Sequence, residues 1–241
     1  MSIGILIPTW NNNEYLMPCL RSLLTPWFSG HIYVVNNGEP ENMDGIDDKR
    51  VTILQQESNL GWEGGLKKGL EASQEDFVVF MNDDTYVPFS SIGWTDHLLT
   101  HFSDPRVAAV GPSTNVVMGA QQIFAPIDPK EDVLNVKFLI GFCLMVRRSA
   151  LNEVGGIDDT LPGGDDFDLS IRLRNAGYKL LVDRNVFVYH HGFKTGERIH
   201  GTAASGGWNS MEMTERTNFS LINKHGLRPW LNCMKDQRVS A

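Results

Sequence analysis

Short apolar runs alternate with segments of helical periodicity along the first part of the chain. The apolar runs occupy residues 3–8, 31–35, 51–54 and 77–81. Each is short and nearly uniformly hydrophobic, which is typical of a strand buried on both faces of a parallel sheet. Residues 14–24 and 66–73 carry apolar side chains at helical spacing. This alternation predicts βαβ units and an α/β fold, in which ligands bind at the carboxyl ends of the strands.

The second half of the chain is less regular but continues the same pattern. We predict helices at 94–102, from residue 149, at 169–176 and at 211–223, and strands at 107–110, 138–146, 178–182 and 186–190. Residues 113–136 read as loops and edge strands. The glycine-rich stretch 192–207 predicts a loop, and 227–241 a C-terminal tail. With no repeat or linker between these elements, residues 1–241 are expected to form a single domain.

Composition narrows the class of protein. The 241 residues include 21 basic and 29 acidic ones, a formal charge of −8, and 41% are hydrophobic. Such a composition is typical of a globular protein and does not favour nucleic acid as a partner. No apolar run approaches the roughly 20 residues of a membrane span. Cys19, Cys143 and Cys233 are too widely spaced for a disulfide framework or a zinc site. We therefore expect a cytoplasmic protein with no transmembrane segment.

Charge is unevenly distributed along the sequence. From Asp165 to the end there are 11 basic and 8 acidic residues, so the preceding part carries the acidic excess. An acidic front and a basic back suit a cation together with a phosphorylated ligand, although chance asymmetry on a solvated surface explains the charges equally well. The basic end also leaves open a peripheral contact with the inner face of a membrane. The sequence does not indicate an oligomeric state.

Asp83 and Asp84 stand where the most apolar strand ends. Carboxylate oxygens at that edge of the sheet suit a hard divalent ion that also binds substrate phosphates. The structural alternative is a helix N-cap or an Asx turn, and for an isolated pair this alternative is the stronger one.

Three more carboxylates follow two glycines at Asp165, Asp166 and Asp168. One of them could accept a proton from a substrate hydroxyl. Alternatively, one could cap the helix that follows and interact with its dipole. His190 and His191 end a strand, so only one of the two rings can face a given site. Taken together, carboxylates and a histidine recur at predicted strand ends, which an α/β sheet brings to one edge.

In this order and spacing, the motifs resemble those of the inverting family-2 glycosyltransferases of the GT-A fold. The resemblance rests on residues 5–11, 34–38, 59–69, 82–84, 141–148, 154–158 and 165–178. The glycine pattern of 59–69 is similar to that of the rhamnosyl- and galactofuranosyltransferase subgroup. Asn36 and Asn82 depart from the family, which usually has Asp at both positions. The implied fold is a single domain with a mixed central sheet flanked by helices.

The resemblance also implies a role for each matching residue. Asp166 would be the general base, and Asp165 would orient the base or the acceptor. Asp84 and His190 would hold Mn²⁺ or Mg²⁺. Residues around the nucleotide-sugar donor would be Pro8, Thr9, Asn36, Asn59, Gly61, Gly64, Gly65, Asn82 and Asp83. The loop 192–207, with Lys194, Arg198 and Trp208, would be a lid over the diphosphate.

The implied activity is a metal-dependent, single-displacement transfer of a sugar from a nucleoside-diphosphate sugar to a hydroxyl of a glycan, polysaccharide or lipid-linked acceptor. Residues 1–110 would bind the nucleotide sugar, and residues 111–226 would supply the acceptor and catalytic half. A non-catalytic nucleotide-sugar-binding module and a metal-dependent hydrolase remain alternatives. A Rossmann dehydrogenase is disfavoured, because the glycine-rich stretch follows the third strand and does not read Gly-x-Gly-x-x-Gly.

Overall fold

A mixed eight-stranded sheet organises the chain, with strand order β3-β2-β1-β4-β8-β6-β9-β7. The computed structural model describes residues 1–124, 131–192, 194–201 and 210–235. The sheet strands are β1 (Ile3–Thr9), β2 (His31–Asn36), β3 (Val51–Gln55), β4 (Phe77–Met81), β6 (Val107–Ser113), β7 (Val133–Val136), β8 (Cys143–Arg147) and β9 (Lys179–Phe187). A separate pair, β5 (Thr85–Tyr86) and β10 (Tyr189–His190), is antiparallel.

Strand direction decides which residues meet at the edge of the sheet where α/β folds usually bind ligands, called the ligand edge below. Strands β1 to β4 are parallel, β8 runs antiparallel between β4 and β6, and β9 is parallel to β6. The carboxyl ends of β1, β2, β4, β6 and β9 therefore share one edge. Because β8 is reversed, its amino end lies at that same edge. The residues just before Cys143 are thereby brought beside those just after Met81.

Helices cover both faces of the sheet. They are α1 (Asn13–Leu23), α2 (Gly61–Ala72), α3 (Trp94–Thr100), α4 (Arg148–Glu153), α5 (Asp165–Asn175), α6 (Lys194–His200), α7 (Met211–His225) and α8 (Leu227–Lys235). Along β4 the buried side chains alternate: Val79 and Met81 join one apolar cluster, and Val78 and Phe80 join the other. This alternation is what a strand buried on both faces requires. The predicted α/β fold with a mixed sheet and flanking helices is confirmed.

The glycine-rich stretch that was expected to lead into a helix is itself helical from Gly61. The side-chain oxygen of Asn59 accepts a hydrogen bond from the Gly61 N–H at 2.8 Å and so starts the helix. Glycine normally weakens a helix, but here it permits close packing. A Cβ on Gly65 would lie 2.8 Å from Cβ of Pro8. Tertiary packing therefore outweighs helix propensity in this turn.

Residues 138–142 are not the strand that their hydrophobicity predicted. The backbone N–H groups of Leu139, Ile140 and Gly141 donate to side-chain oxygens of Ser170, Gln121 and Asp166. Buried backbone donors must be paired, and side chains supply the partners here in place of a neighbouring strand. β8 consequently begins only at Cys143.

Three further predictions needed correction. The predicted strands at 178–182 and 186–190 are one continuous strand, β9, followed by the short β10. The predicted loop 192–207 contains α6, while residues 202–209, with Trp208, lie outside the described residues. The predicted tail contains α8, because Trp230 and Cys233 are buried against Phe138. Among the helices of the described ranges, none has the length and apolar character to cross a bilayer.

Candidate active site

Asp83 ties the end of β4 to the end of β1. Its side chain is buried, and its two oxygens accept hydrogen bonds from Thr9 Oγ1 at 2.7 Å and Asn12 Nδ2 at 3.0 Å. No helix starts here, because the chain continues into β5. The helix-capping alternative for the Asp83–Asp84 pair is therefore wrong. A contact between Asp83 and a donor stays a prediction.

Asp84 faces His190 across the β5–β10 pair. Asp84 Oδ1 lies 3.2 Å from His190 Nε2, and both side chains are almost fully buried. The pairing of His190 with Thr85 in the strand register brings the ring to this position. On the other oxygen, Asp84 Oδ2 accepts from the backbone N–H of Lys194 at 3.3 Å. The structure thus joins the two residues that were predicted to hold a metal.

The surroundings of this pair fit a divalent cation. Asp84 Oδ1 is buried and makes no hydrogen bond to any part of the chain that the structure describes. His190 Nδ1 lies 2.9 Å from the carbonyl oxygen of Val116. With the proton on that nitrogen, Nε2 carries the lone pair that a cation would bind, which is how ligating histidines are usually oriented. Asn82 Nδ2, 3.1 Å from Nε2, shares this space.

The charge on Asp84 is favoured despite its burial. Desolvation raises the pKa of this carboxyl, but the facing His190 ring and the Lys194 backbone N–H outweigh it, so the pKa lies below its ordinary value. An anionic oxygen beside an imidazole nitrogen is a donor set that suits Mn²⁺, and Mg²⁺ less well.

A carboxylate cluster forms the second part of the site, in the first turn of α5. Asp166 Oδ2 accepts from the Gly141 N–H at 3.2 Å, and its Oδ1 accepts from the Phe167 N–H at 3.0 Å. Asp165 Oδ2 accepts from the indole N–H of Trp62 at 3.1 Å. The N-cap position is Gly164, so neither Asp165 nor Asp166 is the N-cap residue, but both lie in the first turn of α5, where a carboxylate interacts favourably with the helix dipole as the structural alternative expected.

Burial shifts the proton affinity of these carboxyls upward. Desolvation raises the pKa of Asp166 to about 6. Desolvation, together with the charges of Asp166 and Glu63, raises the pKa of Asp165 well above its ordinary value. The pKa of Glu63 is raised as well, chiefly by desolvation. A carboxylate with a pKa near neutrality suits a general base, because it is ionised at pH 7 and still binds a proton well.

Gly141 and Phe142 connect the two parts. Gly141 holds Asp166, and the Phe142 ring stacks on His190 with a centroid distance of 5.3 Å and an interplanar angle of 24°. The Phe142 carbonyl oxygen accepts from the Asn82 N–H at 2.9 Å. Two consecutive residues therefore fix the positions of both the carboxylate cluster and the Asp84–His190 pair.

The residues predicted to surround the donor lie along β1, β2 and α2. Asn36 is fully buried and bonds within its own edge of the sheet, donating to Gln55 Oε1 at 2.7 Å and accepting from the Gly38 N–H. Asn59 starts α2, Gly64 lies against Leu60, and Gly65 lies against Pro8. These contacts explain the residues structurally, and their contact with a donor stays a prediction.

The structure describes the surroundings of two of the three predicted lid residues. Lys194 begins α6 above Asp84, and the Arg198 guanidinium contacts Glu14 at 3.2 Å and the carbonyl oxygen of Asn11. Trp208 lies outside the described residues.

Sequence reasoning missed two groups of side chains. Glu63 was not assigned a role, although it lies next to Trp62 on the first turn of α2 and adds to the negative charge around Asp165 and Asp166. A second group, His97, His101 and Asp183, has the ligand atoms to hold a metal ion. The spacing of its two histidines was visible in the sequence, but their proximity to Asp183 was not.

Similarity to solved structures defines the class of fold. A GalNAc-T7 structure with UDP, GalNAc and Mn²⁺ matches with a TM-score of 0.66 and 16% identity, covering 78% of this chain and 43% of that one. The mannosyltransferase PcManGT of Pyrobaculum calidifontis, in complex with GDP-Man and Mn²⁺, matches with a TM-score of 0.63 and 14% identity, covering 97% and 74%. The fold is that of the GT-A glycosyltransferases.

Sequence similarity identifies the family. The family model for glycosyl transferase family 2 matches residues 4–155, so the chain belongs to this family. A pre-mycofactocin glycosyltransferase of Mycobacterium tuberculosis (strain CDC 1551 / Oshkosh) is 29% identical over 205 residues, covering 78% of this chain and 42% of the relative. The chain therefore spans less than half the length of that relative.

Proposed function

We propose that this chain is a metal-dependent inverting glycosyltransferase that uses a nucleoside-diphosphate sugar. The observation that carries the proposal is the link through Gly141 and Phe142, which holds a carboxylate of raised pKa and a buried carboxylate–imidazole pair at the same edge of the sheet. One group provides a base, and the other provides ligands for a cation. Together they supply the two functions that the proposed transfer uses.

Asp84 Oδ1 and His190 Nε2 are the proposed ligands of the metal. When bound, Mn²⁺ or Mg²⁺ neutralises the negative charge that develops on the departing diphosphate. The imidazole ligand favours Mn²⁺ of the two. The relatives with UDP or GDP-mannose and Mn²⁺ support both the donor class and this choice. The base and the sugar of the donor are left open.

Asp166 is the proposed general base. Its carboxylate, ionised above pH 6, would take the proton of an acceptor hydroxyl as that oxygen attacks the anomeric carbon. The bond from the anomeric carbon to the diphosphate oxygen breaks on the opposite face, and the configuration inverts. Asp165, held by Trp62 and with a pKa that burial and the charges of Asp166 and Glu63 raise well above its ordinary value, would orient the acceptor or the base. The proposed acceptors are glycans, polysaccharides or lipid-linked sugars.

The test separates donor binding from turnover. Asp166→Asn should retain metal-dependent binding of the donor in calorimetry, while transfer falls by at least about 100-fold. Asp84→Asn should weaken donor binding with Mn²⁺ and change it little without metal. Asp47→Asn, an exposed carboxylate far from these elements in sequence, is the matched control.

Each of the other outcomes would indicate a different function for this chain. Near-normal transfer by Asp166→Asn would refute the base assignment. Tight binding of a donor by the unmodified chain, without transfer to any acceptor, would favour a nucleotide-sugar-binding module. Release of free sugar without an acceptor would favour a hydrolase.

A further inference from the structure

A second group of metal-ligating side chains lies away from Asp84, between α3 and β9. We call His97, His101 and Asp183 the His–His–Asp cluster. His101 Nε2 lies 2.6 Å from Asp183 Oδ2, and His97 Nε2 lies 3.0 Å from the same oxygen. Taking one ligand atom from each residue, the three atoms lie within 4.8 Å of one another.

The spacing of the two histidines explains why both reach Asp183. His97 lies in α3, and His101 follows the last residue of that helix with its backbone still helical. Positions four apart lie on one helix face, one turn above the other. This face packs on β9, in which Asp183 lies. Two histidines at this spacing on a helix are a common half-site for zinc.

The charge of Asp183 requires compensation. The side chain is fully buried, and Oδ1 accepts from the backbone N–H of Asn185 at 2.9 Å. Among the residues that the structure describes, its ion-pair partners are the two histidines, with no lysine or arginine. An isolated buried carboxylate is costly, and a cation between Oδ2 and the two imidazoles would compensate it. The hydrogen bond to Oδ1 is the outer contact that orients a ligating carboxylate.

Geometry and ligand chemistry favour zinc over harder ions. Bonds of about 2.0–2.1 Å in a tetrahedral site hold ligand atoms about 3.3 Å apart. The 2.6 and 3.0 Å separations would therefore open by less than 1 Å, and the third separation, which is at most 4.8 Å, would close toward the same value. Two imidazoles and one carboxylate suit Zn²⁺ better than Mg²⁺ or Ca²⁺. His97 is half exposed, which gives an ion a path from solvent.

We propose that the His–His–Asp cluster is a Zn²⁺ site, separate from the Asp84–His190 pair, which fastens α3 to β9. Its position gives the site a structural role. Asp183 pairs with Pro112 of β6, but the next pair in the register is Ser113 with Phe187. β9 therefore bulges directly after Asp183, ends at Phe187, and is followed by β10, which contains His190. The ion would hold β9 in place at the residue where the bulge begins.

The experiment uses the untagged chain carrying Asp84→Asn, so that the proposed active-site metal does not contribute. Zinc content after dialysis, thermal unfolding with Zn²⁺, and the visible absorption of bound Co²⁺ are measured. We expect one Zn²⁺ per chain, a tetrahedral Co²⁺ spectrum, and a rise in Tm of about 5–10 °C when Zn²⁺ is about 100-fold above its Kd. Zinc binding requires no glycosyl transfer, so failure of either proposal can be told from failure of the other.

The matched variants are His97→Gln and His31→Gln in the same background. His97→Gln should weaken Zn²⁺ binding at least about 100-fold and abolish the Tm shift, and the half-exposed position of its side chain accommodates Gln without unfolding the chain. His31→Gln, on β2, should retain both. The proposal is overturned if the Asp84→Asn chain binds no stoichiometric Zn²⁺, or if His97→Gln shows the same Tm shift as its parent.

Discussion

Replacing Asp166 with Asn should make the protein more stable at alkaline pH while removing its activity. Desolvation raises the pKa of this carboxyl from 3.8 to about 6 in the folded chain. Between these two values the folded state holds a proton that the unfolded state releases. The group's contribution to stability is therefore most favourable below pH 3.8, declines as pH rises, and reaches its full cost above pH 6. That cost is about 3 kcal/mol.

The pH dependence is more diagnostic than the stability at any one pH. Asn loses a hydrogen bond, because its amide nitrogen cannot accept from the N–H of Gly141 or Phe167. That loss of about 1 kcal/mol is nearly independent of pH. From pH 5 to pH 8 the linkage relation predicts that the free energy of unfolding of Asp166→Asn gains about 1.4 kcal/mol on the unmodified protein. This corresponds to a relative shift of about 3–5 °C in Tm.

The assay is urea unfolding at pH 5, 6, 7 and 8, followed by fluorescence, for the unmodified protein, Asp166→Asn and the exposed control Asp47→Asn. The free energy of unfolding of the control should change with pH in the same way as that of the unmodified protein. A stability difference between Asp166→Asn and the unmodified protein that stays constant, or shrinks, from pH 5 to pH 8 would refute the desolvation argument. The base assignment would then lose its physical support.

Three other substitutions test separate parts of the structure. Asp84→Asn should abolish the increase in Tm that Mn²⁺ and donor together produce, which thermal unfolding with each ligand alone and with both would measure. Gly65→Ala should cost about 1–3 kcal/mol in urea unfolding, because the new Cβ would lie 2.8 Å from Cβ of Pro8. Asp168→Asn should cost about 1.5–3 kcal/mol at pH 7, because it removes the buried carboxylate that holds Arg172 and is one of two carboxylates on Lys224; an unchanged midpoint would contradict this reading.

The strands of the first half could be predicted because a strand that is buried on both faces has an almost uniformly apolar sequence. β4 is uniformly apolar, and the polar residues after Met81 show where the ligand edge begins. The same reasoning failed at Phe138, Leu139 and Ile140, which are as hydrophobic as a strand. Their N–H partners are side chains distant in sequence, and hydrophobicity alone does not reveal them.

Candidate site residues could be chosen from the sequence where a single motif contains them, and not where packing joins separate motifs. Asp84 and Asp166 stood out as carboxylates beside apolar segments. By contrast, nothing local in the sequence indicates that Trp62 reaches Asp165, or that Asp183 lies beside His101. Both contacts join elements that are brought together by the sheet order, which depends on the whole chain.

The three carboxylates of α5 show how environment divides one motif into different roles. Asp168 is fully buried and forms ion pairs with Arg172 and Lys224. Desolvation raises the pKa of Asp168, but these cations outweigh that effect, so the pKa lies below its ordinary value. Its contribution to stability is therefore present at neutral pH and lost in acid. Asp166 has backbone N–H groups but no cation at this distance among the described residues, so its ionised form is costly and its contribution has the opposite pH dependence. Residues two apart in one helical turn therefore have opposite effects on the pH dependence of stability, and the ion pairs of Asp168 offset part of the cost of the ionised Asp166 carboxylate, the proposed general base.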